Sequence, residues 1–514
     1  MMKTRLITIL IILLTHVSFS QNSYSVKFAS ELEDGIIDAS KGDNDEYLLI
    51  KWKNYWGGIY DTASVFRSEI YSFGNNLADS TRWPFNFNRV DTAIFPSSIL
   101  FDSNCYIVAG GATIRSGGDS VIFTRYQYIA KFDLGKQLVW EYLYPRPQEL
   151  EQYGSPGLQK MMKLSTGNYF TITYVSELGG GKRKWLIQTY TPDGDTLQVR
   201  VFDNYLSGYL ESLTYNYDSS EVLVHSTLGH IPGCNYLENA GIGAVILDTI
   251  TYDTLGGICY EPNFHIENPY DAMLNPSDNL VIAGETWIYD WDELKIYEYF
   301  GVYVLDSNYN VINSTLLTDK DRKFKAGEFK CLDIKSNGDI YLAGIVDRNP
   351  TFFPETYNYI YLVRLDSTLN ILTERYLGGD AYYWVLDMLS TTDGGILISG
   401  KQYDYIINEW GDLDAFVIKT DAGLWVNTYE NSFLPVHSAL VYPNPGSGTM
   451  NIRTTENRSM LKLYNLSGQQ LLQTKITGLI TEVDCHHLMS GVYIWKLFKN
   501  DREIDHGKWI NIKQ

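Results

Sequence analysis

Short apolar strands alternate with polar turns along most of the chain, and one pattern recurs: a polar turn, an apolar strand, then glycine or another small residue. It reads Asp45-Glu46-Tyr47-Leu48-Leu49-Ile50-Lys51 first and Asn104-Cys105-Tyr106-Ile107-Val108-Ala109-Gly110 second. Residues 167–173 and 220–226 repeat it more loosely. The clearest copies are Asp278-Asn279-Leu280-Val281-Ile282-Ala283-Gly284, Gly338-Asp339-Ile340-Tyr341-Leu342-Ala343-Gly344 and Gly394-Gly395-Ile396-Leu397-Ile398-Ser399-Gly400. Successive copies end about 59, 63, 53, 58, 60 and 56 residues apart. Roughly 20 residues after each of the last six comes a second apolar strand that ends in Asp or a turn residue.

The sixth copy divides into β-rich runs at 329–335, 339–347, 358–366 and 370–377, bounded by turn chemistry such as Ser336-Asn337-Gly338-Asp339. Four antiparallel strands per repeat, repeated radially, is the arithmetic of a β-propeller blade. The 3.6-residue period of helical repeats is missing. The expected fold is therefore all-β: a seven-bladed β-propeller over residues 21–430, with six or eight blades left open because the first copy is degenerate. Whether residues 24–28 add an outer strand to the last blade is also open.

The repeat stops before a linker at 431–438, and the charge then changes sign. The whole chain carries 41 Lys plus Arg against 61 Asp plus Glu, a net −20. Residues 439–514 hold nine basic and six acidic residues, so the tail is positive by three and the propeller region strongly acidic. That balance argues against nucleic acid as a partner, because a phosphate backbone demands Lys and Arg. The tail reads as a small antiparallel β-sandwich of about seven strands.

Its landmarks are Tyr442-Pro443-Asn444-Pro445, then Leu466-Ser467-Gly468, then Gly491 before Val492-Tyr493, and a Lys-containing last strand that reaches Lys513. In this order they resemble the type A C-terminal sorting domain of the type IX secretion system of Bacteroidota, across residues 439–514. The one departure is Cys485, where that family usually has an apolar residue. The resemblance implies export through the outer-membrane translocon, which becomes a partner through this tail, and a secreted or cell-surface location reached via the periplasm. At the other end, Lys3 and Arg5, the apolar run Leu6–Leu14 and small residues up to Ser20 describe a signal peptide over residues 1–20. The run is shorter than the roughly 18 residues of a transmembrane span.

Five cysteines follow the signal peptide: Cys105, Cys234, Cys259, Cys331 and Cys485. An oxidising compartment permits disulfides, and Cys234 and Cys259 are closest in sequence. The reading favoured here is that all five are small buried hydrophobes. Asp421-Ala422-Gly423-Leu424-Trp425 is similar to part of the Asp box of sialidases, but the other blades lack it, and it is read as a turn.

In a four-stranded blade the loops between the second and third strands share one face, and here they are the long ones. They are rich in aromatic and acidic residues. The first blade offers Trp52 and Trp56. The fifth offers Trp287, Tyr289, Asp290, Trp291 and Asp292. The sixth adds Phe352, Phe353, Glu355 and Tyr357, and the seventh Tyr403, Asp404, Tyr405 and Trp410. Flat rings stack on sugar C–H faces while carboxylates accept hydroxyl hydrogen bonds, so this face is the candidate site for a glycan or a surface protein. A glycan-cleaving enzyme using carboxylates of the same loops is the second reading, and a structural scaffold the third. No catalytic residue or metal ligand is assigned. No cofactor is expected, although Ca²⁺ binding by so acidic a chain stays open.

Overall fold

The computed structural model describes residues 24–28, 33–54, 66–74, 81–87, 92–116, 122–150, 159–176, 183–202, 209–229, 241–259, 266–290, 295–317, 322–349, 354–406, 413–426, 439–442, 446–454, 459–478, 480–499 and 502–512. The chain is all-β and divides into two compact units, Met1–Asn427 and Thr428–Gln514. Residues 1–20, read from sequence as a signal peptide, lie outside the described ones, as do Pro443, Asn444, Pro445 and Lys513 of the tail.

Seven antiparallel sheets follow one another in the first unit. Sheets one to five begin with inner strands Glu33–Lys41, Thr92–Asp102, Gln159–Lys163, Tyr209–Tyr215 and Ile266–Leu274. Sheet six has an inner strand in two pieces, Phe324–Ala326 and Leu332–Ile334, and then Ile340–Val346, Tyr359–Leu365 and Ile371–Gly378. Sheet seven runs Tyr382–Ser390, Ile396–Tyr403 and Asp414–Lys419, and Tyr24–Phe28 pairs with Asp414–Lys419 as its outer strand. The last sheet is thus completed by the beginning of the chain.

Each sheet packs on the next through apolar faces. Val281 and Phe300 of sheet five meet Leu342 and Val363 of sheet six, and Leu49 of sheet one shares a core with Leu397 and Val417 of sheet seven. The recurring glycine has a steric cause. A Cβ on Gly110, Gly284, Gly344 or Gly400 would stand 2.1, 2.0, 2.3 or 1.9 Å from a carbonyl oxygen of the neighbouring inner strand. Inner strands bulge at this level, with register shifts at Ile36/Asp38, Pro96/Ser98, Leu210/Ser212 and Val385/Asp387. A bulge re-aims side chains and brings backbone close to the adjoining strand.

The re-aimed residues tie sheet to sheet. Asp38 Oδ2 accepts the Ile99 N–H at 2.6 Å, and Asp387 Oδ2 accepts the Ala39 N–H at 2.9 Å. Asp271 Oδ2 accepts from Cys331 and Leu332, each at 3.2 Å, and Asp333 Oδ2 accepts the Ser390 N–H at 2.7 Å. Two lysines cross between sheets: Lys330 Nζ donates to Asp38 Oδ1 and the Ala39 carbonyl at 2.6 Å, and Lys160 Nζ to the Phe329 carbonyl at 3.0 Å. Burial pushes the Asp387 carboxyl up to about 7 and that of Asp271 up to about 6. Burial also lowers Lys330, but Asp38 and Asp387 beside it outweigh this and hold its ammonium above the usual range.

Short hairpins close the opposite ends of the strands. Asp306, Asp366 and Asp421 each open a five-residue turn and accept two backbone N–H groups through Oδ1, while Tyr309, Leu369 and Leu424 at the fourth position take positive φ. The segment that is similar to an Asp box is one of these turns, built by aspartate hydrogen-bonding its own backbone.

Cys259 is disulfide-bonded, whereas Cys105, Cys331 and Cys485 are free and buried. Cys234 lies outside the described residues. The expectation that all five are lone hydrophobes is corrected for Cys259. The second unit is a sandwich of seven strands, a three-stranded sheet over a four-stranded one. Its core includes Met450, Ile452, Leu463, Trp495 and Trp509. Gly468 takes a φ of 83° in the turn after Tyr464, and the Tyr493 hydroxyl donates to the Met489 carbonyl at 2.6 Å. Tyr442 ends the strand Leu440–Tyr442, and Gly491 opens the strand Gly491–Lys499.

A candidate binding surface where sheets five and six meet

At the long-loop end of sheet five, three residues share one face. Glu285 and Trp287 are two apart on the strand Leu280–Asp290, and Glu298, on Lys295–Leu305, stands directly opposite Trp287. Successive side chains of a strand alternate between faces, which puts all three toward sheet six. Glu285 is 1% exposed, but Trp287 is 39% exposed, an unusual state for the largest side chain.

Sheet six supplies the opposing charge. Arg348, just after Ile340–Val346, donates to Glu285 Oε1 at 2.6 Å and lies 3.4 Å from Glu298 Oε2. Lys323 Nζ reaches Glu298 Oε1 at 3.1 Å. The second oxygen of Glu285 accepts from Asn268 Nδ2 and the Tyr270 hydroxyl, both at 3.0 Å. Burial, reinforced by Glu285, pushes the Tyr270 phenol well up, so it stays a neutral donor. Burial would lower the Arg348 guanidinium, but Glu285 and Glu298 hold it above its ordinary value. A second bracket lies alongside: Arg322 grips Asp347 at 3.0 and 2.6 Å and covers the rings of Tyr359 and Tyr376. The result is an exposed indole beside fixed, alternating charges whose geometry is set before anything binds.

The other sequence-selected residues fall into different settings. Trp52 is half-buried and lies across Gly35, its cross-strand partner, so that a Cβ on Gly35 would stand 2.8 Å from the indole nitrogen. Tyr403 is buried, and Asp404 accepts the Tyr357 hydroxyl at 3.2 Å. The Tyr357 and Tyr405 rings stack at 5.0 Å and join the loops of sheets six and seven, with Glu355 exposed nearby in sequence. Tyr289 and Asp290 end their strand. Trp56, Trp291, Asp292, Phe352, Phe353 and Trp410 lie outside the described residues.

Glu285, Glu298, Lys323 and Arg348 were not selected from sequence. The one local signal is Glu285 itself, a charge directly after Ala283-Gly284 where the sixth copy has Ile345. Among the described residues no group of three or more His, Cys, Asp and Glu side chains is placed to hold a metal ion. His225 is fully buried, which pushes its imidazole down to about 3 and keeps it neutral.

No curated protein matches the chain. Among solved structures it is similar to an ulvan lyase described as a new polysaccharide lyase family, PL25, with a TM-score of 0.45 and 9% identity over 77% of this chain and 94% of that one. It is similar to the polysaccharide lyase Uly1 at 0.42 and 9%, over 78% and 100%. PorZ of Porphyromonas gingivalis, described as a surface component of the type-IX secretion system, matches at 0.20 and 12%, over 93% and 81%. Likenesses of this size carry no argument about chemistry. The tail is different: residues 440–512 match the family of secretion system C-terminal sorting domains. No helix among the described residues is long and apolar enough to cross a membrane. The chain therefore carries a type IX C-terminal sorting domain, and it is a protein exported to the cell surface or beyond.

Proposed function

We propose that the seven sheets are the blades of a seven-bladed propeller, and that this exported propeller binds a carbohydrate on the surface around Trp287 where blades five and six meet. The observation that carries the reading is the 39% exposed indole of Trp287 opposite Glu298, whose carboxylate is already held by Lys323 and Arg348. A sugar ring stacks its C–H face on such an indole, and its hydroxyls bond to carboxylate, amide and guanidinium groups that need no reordering.

Binding is favoured over cleavage by the pairing of the acids. Glycoside hydrolysis needs one carboxyl kept protonated by apolar surroundings. Here both carboxylates lie against the Arg348 guanidinium, and Glu298 also meets Lys323, so neither sits in the apolar surroundings such an acid requires.

The test is a panel of polysaccharides presented to the mature chain, with bound protein and released reducing ends read from the same wells. Saturable binding without release, weakened about 30-fold by Trp287→Ala as the loss of a stacking anchor implies, supports the reading. Release of reducing ends, or binding indifferent to Trp287, contradicts it.

A further inference from the structure

The charges where sheets five and six meet cancel one another. Arg348 holds Glu285 and Glu298, Lys323 holds Glu298, and Arg322 holds both oxygens of Asp347. On the inner strand of sheet six, Lys325 Nζ donates to Glu328 Oε1 at 2.6 Å and lies 5.8 Å from the centre of the Tyr270 ring. Four cations thus meet four carboxylates, each carboxylate holds a cation, and the sum is zero.

The adjoining chain is acidic. Residues 290–295 and 318–321 hold five acids, Asp290, Asp292, Glu293, Asp319 and Asp321, against two bases, Lys295 and Lys320. Each of these seven is at most five residues in sequence from Trp287, Glu298 or Lys323, so chain length alone keeps it within roughly 18 Å. A neutral site is therefore set in a negative field. A sugar hydroxyl is donor and acceptor at once, so it enters such a network by donating to Glu298 and accepting from Arg348 or Lys323, with no change of charge. A uronate or sulfate group meets cations that already hold carboxylates, inside a field of its own sign. An ammonium-bearing ligand finds every carboxylate of the site already holding a cation.

We infer that the polysaccharide taken by this surface is an uncharged one, read through its hydroxyls and ring faces, and that uronate-bearing and sulfated chains are turned away by charge. The inference rests on the carbohydrate reading of the Trp287 surface and adds the chemical class of the sugar.

The test offers residues 21–514 pairs of polymers that share a backbone and differ in charge: hydroxyethylcellulose with carboxymethylcellulose, dextran with dextran sulfate, and galactomannan with its carboxymethyl derivative. In about 20 mM NaCl the neutral member of a bound pair should bind about tenfold more tightly or better. In about 500 mM NaCl, where the screening length drops from roughly 20 Å to roughly 4 Å, that gap should narrow to about threefold while the neutral polymer binds as before. Asp347→Asn with Glu298→Gln removes two negative charges and leaves the cations, so the ratio of charged to neutral affinity should rise about tenfold. Asp347→Asn alone, at a φ of 65° that asparagine adopts readily, should raise it about threefold. A charged polymer that binds through Trp287 as tightly as its neutral partner overturns the inference, as does a ratio that both variants leave unchanged. Chitosan binding more tightly than hydroxyethylcellulose, and losing that advantage on Trp287→Ala, overturns it too. Binding indifferent to Trp287→Ala for every polymer, or no binding, removes the carbohydrate reading itself.

Discussion

Replacing Lys330 with methionine removes the ammonium that joins sheet six to sheets one and seven. Its Nζ lies 2.6 Å from Asp38 Oδ1 and 3.5 Å from Asp387 Oδ2, and the Asp387 side chain is fully buried. Removing one partner of a buried ion pair costs about 3–5 kcal/mol. Because 31% of the Lys330 side chain meets solvent, the lower end, about 3 kcal/mol, is the expected loss at pH 8. The deficit should depend on pH in a defined direction. The Asp387 and Asp271 carboxyls titrate near 7 and near 6 in the folded chain, above their ordinary 3.8. The folded state therefore binds more protons than the unfolded one between these values, and the stability these two groups contribute falls as pH rises from about 4 to about 7. At pH 5 both carboxyls are largely neutral, the ammonium has less charge to compensate, and the Lys330→Met deficit should shrink by at least half. Urea unfolding of both proteins at pH 5 and pH 8 measures this. A deficit equal at the two pH values, or one below about 1 kcal/mol at pH 8, would refute the claim that Lys330 neutralises buried carboxylates.

Four further outcomes are expected. Arg348→Met leaves the Glu285 carboxylate, 1% exposed, without its cation; unfolding experiments should show a loss of about 3 kcal/mol. Trp287→Ala should change stability by less than about 0.5 kcal/mol, since it creates no core cavity, and so separates binding from folding in the same variant. Gly284→Ala must push a Cβ against the Asn268 carbonyl oxygen, 2.0 Å away, and thermal or urea unfolding should show a loss of about 1–3 kcal/mol or more. A thiol reagent should label Cys105, Cys331 and Cys485 slowly in the native chain and, after denaturation without reductant, count three thiols; a count of five would contradict the Cys259 disulfide.

The strands and short turns of sheets five to seven were legible because a two-residue period and the Asn-Gly and Asp-led turns are local signals. The sixth copy illustrates it: runs placed at 339–347, 358–366 and 370–377 are strands at 340–346, 359–365 and 371–378. Its inner strand, read as 329–335, is instead split at Gly327–Cys331, where the backbone is held by Val385, Leu386 and Asp271 of other sheets. The candidate site was only half legible. Trp287 announced itself as an aromatic in a long loop, whereas Arg348 is 63 residues from Glu285 and 50 from Glu298, and only the packing of two sheets joins them. Lys330 and Asp38, 292 residues apart, lay further still beyond any local pattern. The export signal was the most legible feature, since its landmarks lie within one short unit.

The most direct measurement is a crystal structure of residues 21–514 soaked with the best-bound saccharide of the panel. The account predicts a sugar ring stacked on the Trp287 indole, with hydroxyls hydrogen-bonded to the Glu298 carboxylate and the Arg348 guanidinium. A saccharide bound elsewhere on the first unit, with Trp287 bare to solvent, would contradict it.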